Sequence, residues 1–161
     1  MIALLLISMT IFLAYNVSIA KIYGVPNSLS ASFYNLREHN LGFLFTIFCW
    51  TAAFPLLIYW IEYSPNDWNF LPFISCVGLM FVGTAPAFKD HELEKKVHVG
   101  AALICAVSSY IWTILHASLF LSINFILLSI LLYFLLKKNK TYWIEMLAFI
   151  NPYSQMLLAE L

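Results

Sequence analysis

The densest run of chemically capable side chains is Asp90-His91-Glu92-Leu93-Glu94-Lys95-Lys96-Val97-His98. With Asp90 as the cap of a helix, His91, Glu94 and His98 fall at i, i+3 and i+7 on one face. Two imidazoles and a carboxylate so placed can hold one divalent metal, and His39 or Glu145 can join them from elsewhere in the chain. That reading leads to a membrane-embedded, metal-dependent hydrolase of a lipid headgroup, with Glu145 as general base. The plainer account is a solvated, charge-mixed turn whose acidic residues suit a helix N-terminus, because the spacing is that of no strong zinc motif. No GxxxxGK, GxSxG, HExxH or dinucleotide fingerprint occurs in the sequence, so common enzyme chemistries have no motif behind them.

Outside that run the polar candidates are scattered. Glu145 sits four residues inside the last apolar stretch, where an ionisable group is a functional suspect, although its carboxylate can also reach outward toward Lys137, Lys138 or Lys140. Asn16, Pro86, His98, Glu145 and Asn151 are expected to line a cytoplasmic half-site for a small solute or lipid. His98 and His116 on one helix stand about 27 Å apart and cannot share a haem iron. Cys49, Cys76 and Cys105 lie in apolar stretches without CxxC spacing and read as packing residues. No cofactor is expected, the alternative being the single divalent metal.

These side chains must be positioned by elements that live in lipid. Of 161 residues, 63% are hydrophobic and only 10% charged, with a formal net charge of zero; soluble domains carry about 25% charged residues. Mean hydropathy is +0.87. Nothing in this charge balance attracts nucleic acid. A span of about 20 apolar residues crosses the hydrocarbon core, and the sequence divides into six: Ile2–Ala20, Leu41–Ile61, Phe70–Phe88, Val97–Leu115, Ala117–Leu136 and Tyr142–Leu161. A turn near His116 is required, because one helix over Val97–Leu136 would run about 60 Å. The alternative is five spans plus an interfacial last segment, since Asn151-Pro152 interrupts it.

All eight Lys and Arg fall in alternate loops, after spans one, three and five, which assigns those loops to the cytoplasm and both termini to the other side. The first span lacks a basic leading region and reads as a retained helix, not a signal peptide. The whole chain, 1–161, is then one helical membrane domain, a compact bundle.

Within it, Ala101, Cys105 and Ser109 form a small-residue seam on span four, suited to close helix approach. Gly78 and Gly83 of span three offer a partner surface; a homo-oligomer or another protein's helix is the alternative partner, as for a structural or regulatory subunit. Leu- and Phe-rich span five faces lipid, with Asn124 turned inward. Residues 24–40 carry Leu29, Phe33 and Leu36 at helical spacing and predict an amphipathic helix on the cytoplasmic leaflet. Tyr59-Trp60-Ile61-Glu62 recurs as Tyr142-Trp143-Ile144-Glu145, and breaks at Gly83–Pro86 and Asn151-Pro152 interrupt the third helix of each half, a pattern an inverted repeat would give.

The stretch Gly78 to Lys89, followed by Val97-His98, together with Tyr23-Gly24-Val25-Pro26-Asn27-Ser28-Leu29-Ser30, resembles small polytopic membrane proteins of gut Bacteroidetes and their phages. The resemblance covers most of the chain, implies a bacterial or phage-encoded integral membrane protein, and transfers no catalytic residue. The function expected from these features is non-enzymatic binding or transport of a small solute or lipid.

Overall fold

Apolar runs set the helices and polar, Gly- or Pro-containing breaks end them. The computed structural model describes residues 1–160; Leu161, the last residue of the expected sixth span, lies outside the described residues. Among those residues the chain forms α1 (Ile2–Tyr23), α2 (Ser32–Arg37), α3 (Phe43–Tyr63), a single 3-10 turn (Asn66–Trp68), α4 (Phe70–Thr84), α5 (Glu92–His116), α6 (Leu119–Leu135) and α7 (Lys140–Ala159). Three of them, α1, α3 and α5, are long and apolar enough to cross a membrane, and α6 is a shorter apolar helix of 17 residues. That is the make-up of a small multi-pass membrane protein.

The ends follow from local chemistry. Gly24 terminates α1 at φ +81°, a conformation costly for a residue with a Cβ, and its N–H returns to the Ala20 carbonyl. The turn required near His116 is present, with α5 ending there and Ser118 capping α6 by accepting the Leu121 N–H at 3.3 Å. Asn139 adopts φ +55° ahead of α7, as Asn tolerates, and its amide donates to the Val25 carbonyl at 2.9 Å.

Side-chain size decides how the helices pack. α4 lies between α3 and α5, and α1 packs on α3. A Cβ on Gly78 would stand 2.9 Å from the Ala101 carbonyl and 3.1 Å from Cys105, so the α4–α5 contact depends on its absence. The seam expected on span four is therefore filled from within the chain, by α4. Gly83 serves a different neighbour, approaching Cys49 of α3. On the other side, α6 packs against α7 and buries only Ser122, while Phe120, Leu127, Leu131 and Phe134 face outward.

Four expectations need correction. Residues 24–40 do not form one surface helix: only Ser32–Arg37 is helical, and Leu29, Phe33 and Leu36 are buried against the protein, where aromatic and aliphatic contacts replace a lipid surface. Asn124 is exposed and donates to the Phe120 carbonyl of its own helix, leaving Ser122 as the inward polar residue. The Asn151-Pro152 break is absent, because α7 runs unbroken over both residues and buries them. And α5 is capped by His91, not Asp90, which instead pairs with Arg37.

Candidate functional site

Between the helices lies a cavity of about 110 Å³ with mainly apolar walls. Its lining includes Phe45, Phe48, Cys49, Leu56 and Trp60 on α3, Cys76, Leu79 and Val82 on α4, and Ala102, Cys105, Ala106 and Ser109 on α5. Glu145, Phe149 and Tyr153 close it from α7. On α3 the lining runs from residue 45 to residue 60, about 22 Å of helix, so the space is elongated along the bundle. Small residues on α5 make it: Ala102, Ala106 and Ser109 leave room that Leu at the same positions would fill.

Two of the residues lining it carry a buried polar atom without a partner. The Trp60 indole N–H and the Ser109 hydroxyl are buried without a hydrogen-bond partner among the described residues, although Trp60 is 1% and Ser109 5% exposed. Buried polar atoms of this kind are ordinarily satisfied by protein, by water or by a ligand. Trp60 itself is clamped by an edge contact with Trp112, whose own indole donates to the Ser64 hydroxyl at 2.8 Å.

At the other end the cavity is covered by the α1–α2 connection. A turn closed by Ala31 N–H to the Ser28 carbonyl at 3.1 Å carries Leu29 and Ser30 at its centre, and both line the cavity. Each side of this turn is tied to a different helix. The Leu29 N–H donates to Glu145 Oε2 of α7 at 2.6 Å. The Ser32 hydroxyl donates to the Leu29 carbonyl at 2.6 Å, and so must accept the Tyr15 hydroxyl of α1 at 2.7 Å. The Tyr142 N–H reaches the Asn27 carbonyl at 3.1 Å.

Ser30 is tied to α5 by its side chain: Ser30 Oγ lies 2.8 Å from His98 Nε2, and His98 Nδ1 lies 2.9 Å from the Ala85 carbonyl. A carbonyl only accepts, so Nδ1 carries hydrogen; in the neutral ring Nε2 then accepts from the Ser30 hydroxyl. That carbonyl is available because α4 ends at Thr84 and Pro86 prevents continuation, leaving Ala85 at φ −117° and ψ 58° outside the helical ladder. Phe88 stacks on the imidazole with ring centroids 4.4 Å apart.

Of the residues expected to bind a solute or lipid, Glu145 lines the cavity and His98 meets it through Ser30. Pro86 is half-buried at the end of α4 and positions Ala85. Asn16 is buried elsewhere and donates to the Phe12 carbonyl of its own helix at 2.8 Å. Asn151 belongs to a separate network, donating to Thr113 at 3.3 Å and accepting from Gln155 at 2.6 Å, where Gln155 Oε1 also accepts the Ser118 N–H at 2.5 Å. Asn16, Pro86, His98 and Asn151 stand outside the cavity lining.

The expected metal set does not assemble. No group of three His, Cys, Asp or Glu side chains fit to hold a metal occurs among the described residues. His91 occupies the N-cap position of α5 without a side-chain capping bond, Glu94 Oε2 accepts the Ala87 N–H at 2.9 Å, and both nitrogens of His98 are engaged as described. His39 is exposed beside the Tyr23 ring. The carboxylate of Glu145 holds the loop rather than Lys137, Lys138 or Lys140, none of which forms a salt bridge among the described residues.

Sequence reading did not single out Ser30. Its one signal is Pro26-Asn27-Ser28-Leu29-Ser30, a run of turn formers and hydroxyls, but which helix that run folds onto is a tertiary fact. Searches against protein-family models, curated proteins and solved structures find no match to this chain.

Proposed function

We propose that this protein is a six-span membrane bundle, inner-membrane if bacterial, that binds one small amphiphile in its interhelical cavity, with the 25–32 segment as its cytoplasmic cover. α1, α3, α4, α5, α6 and α7 are the six spans in this reading, and the segregated Lys and Arg orient it. The observation that carries the binding proposal is the pairing of an elongated apolar wall with two unpartnered buried groups, Trp60 Nε1 and Ser109 Oγ. An apolar cavity of this volume suits a short hydrocarbon segment, as packing cavities of similar size do. The cover is held by bonds to three helices, which supports a retained ligand more than a continuously open path.

Lipid analysis of gently purified protein tests this. Ala106→Phe fills the cavity from α5, and comparison is made at equal helicity and equal size-exclusion behaviour. The reading expects one co-purifying amphiphile per chain, reduced at least about tenfold in the filled variant, since each 1.4 kcal/mol of lost binding is a factor of ten. Equal retention by a folded Ala106→Phe protein contradicts it.

A further inference from the structure

A loop latch needs a hydrogen bond, but it does not need this one. Ser30 and His98 are 8% and 5% exposed, their side chains meet at 2.8 Å, and the imidazole is fixed in one tautomer by a main-chain carbonyl on its far side. That is the geometry of an activated nucleophile: a hydroxyl on the free ring nitrogen of a base that a third group orients. Ser30 is also one of the residues lining the apolar cavity, where an acyl chain can lie.

We propose that Ser30 and His98 form a nucleophile–base pair that cleaves carboxylic esters of membrane amphiphiles, the acyl chain seated in the cavity. Ser30 Oγ adds to the ester carbonyl carbon as its proton passes to His98 Nε2. The oxyanion forms beside the turn, and its proposed donor is the Ser30 main-chain N–H, which makes no hydrogen bond among the described residues. Collapse breaks the carbon–oxygen bond of the leaving alcohol, which takes the proton from His98 and departs, leaving acyl-Ser30. Water then adds to the acyl carbon, giving one proton to His98, and the second collapse releases the carboxylic acid and returns the proton to Ser30 Oγ. Electron pairs and protons balance with water as the only co-reactant. Glu145 is a positioning residue, because its Oε2 fixes the Leu29 N–H and with it the turn that presents Ser30. The proposal rests on the binding reading for the seat of the chain alone.

A fluorophosphonate carrying an alkyl chain, incubated with the detergent-solubilised full chain and followed by peptide mass spectrometry, tests it. The expected result is a covalent adduct on Ser30, absent in Ser30→Ala and formed at least roughly 100-fold more slowly in His98→Gln, within the usual range for loss of a general base. Ser129→Ala, whose hydroxyl donates to the Phe125 carbonyl of its own helix and lies outside the cavity, labels at the wild-type rate. Short-chain umbelliferyl esters should show a burst of one alcohol per chain in the wild type. A wild-type protein that is folded but leaves Ser30 unmodified overturns the proposal whatever the variants do, as does equal labelling in a folded His98→Gln protein. Failure of the binding reading is separate: a lipid that co-purifies with an unreactive Ser30 preserves the cavity and removes the chemistry.

Discussion

Ser30 Oγ on the α1–α2 connection lies 2.8 Å from His98 Nε2 on α5, joining segments 68 residues apart in sequence. The bond closes one end of an apolar cavity whose walls come from four helices. Its consequences for stability are distinct from its proposed chemistry. Ser30→Ala leaves His98 Nε2 buried without a donor and should lower stability by about 1–3 kcal/mol, the usual cost of orphaning a buried polar group. Thermal unfolding in detergent reads this, and an unchanged midpoint would mean that the bond does not hold the loop.

Glu145 offers a sharper contrast. Glu145→Gln retains an oxygen acceptor for the Leu29 N–H, whereas Glu145→Leu retains none. Hydrogen exchange of residues 27–32 should therefore rise at least tenfold in Glu145→Leu and change little in Glu145→Gln. Equal exchange in the two variants would show that the carboxylate does not anchor the turn.

Gly78 and Gly100 should separate packing from propensity. Gly78→Ala puts a Cβ 2.9 Å from the Ala101 carbonyl and should cost about 1–3 kcal/mol as overpacking between α4 and α5. Gly100→Ala meets nothing within 4 Å and should stabilise by roughly 0.5–1 kcal/mol through helix propensity. Denaturation of the two single variants in the same detergent checks the opposite signs.

Gln155 of α7 is tied to α6 at the far end of the bundle through Ser118 and Ser122, and its bond to Asn151 leads on to Thr113 of α5. Gln155→Leu keeps the approximate volume and removes every one of those bonds. Exchange of the Ser118 amide should accelerate at least tenfold, and α6, which buries only Ser122, should be the first helix to loosen. Unchanged protection at Ser118 would deny the network that role.

Much of the helical layout was legible in the sequence, because apolar length and charge breaks are local properties. The turn at His116 followed from bilayer thickness, and the Gly78 contact with Ala101 and Cys105 followed from residue size. The site was legible only in part. Glu145 stands out as an ionisable group in an apolar run, and His98 as part of a polar cluster, but their partners, the Leu29 N–H and the Ser30 hydroxyl, come from a loop distant in sequence. The i, i+3, i+7 spacing placed His91, Glu94 and His98 on one face; the chain ahead of α5 turned His98 toward Ser30 and Ala85 instead. Leu29, Phe33 and Leu36 have the same periodicity whether lipid or protein covers them, so pattern alone could not show that the loop folds inward. The Asn151-Pro152 break does not occur because a proline removes a single helical bond, and α7 continues over both residues and buries them.

Photo-crosslinking maps the cavity most directly. An alkyl amphiphile with a diazirine near the chain end, equilibrated with the full chain in detergent micelles and irradiated, should modify cavity residues between Cys49 and Trp60 on α3 and between Ala102 and Ser109 on α5. These adducts should be competed by unlabelled amphiphile and lost in Ala106→Phe. Adducts confined to the outward faces of α6, at Phe120, Leu127 or Phe134, would mean that the chain solvates the protein as any lipid does, and would contradict an internal binding site.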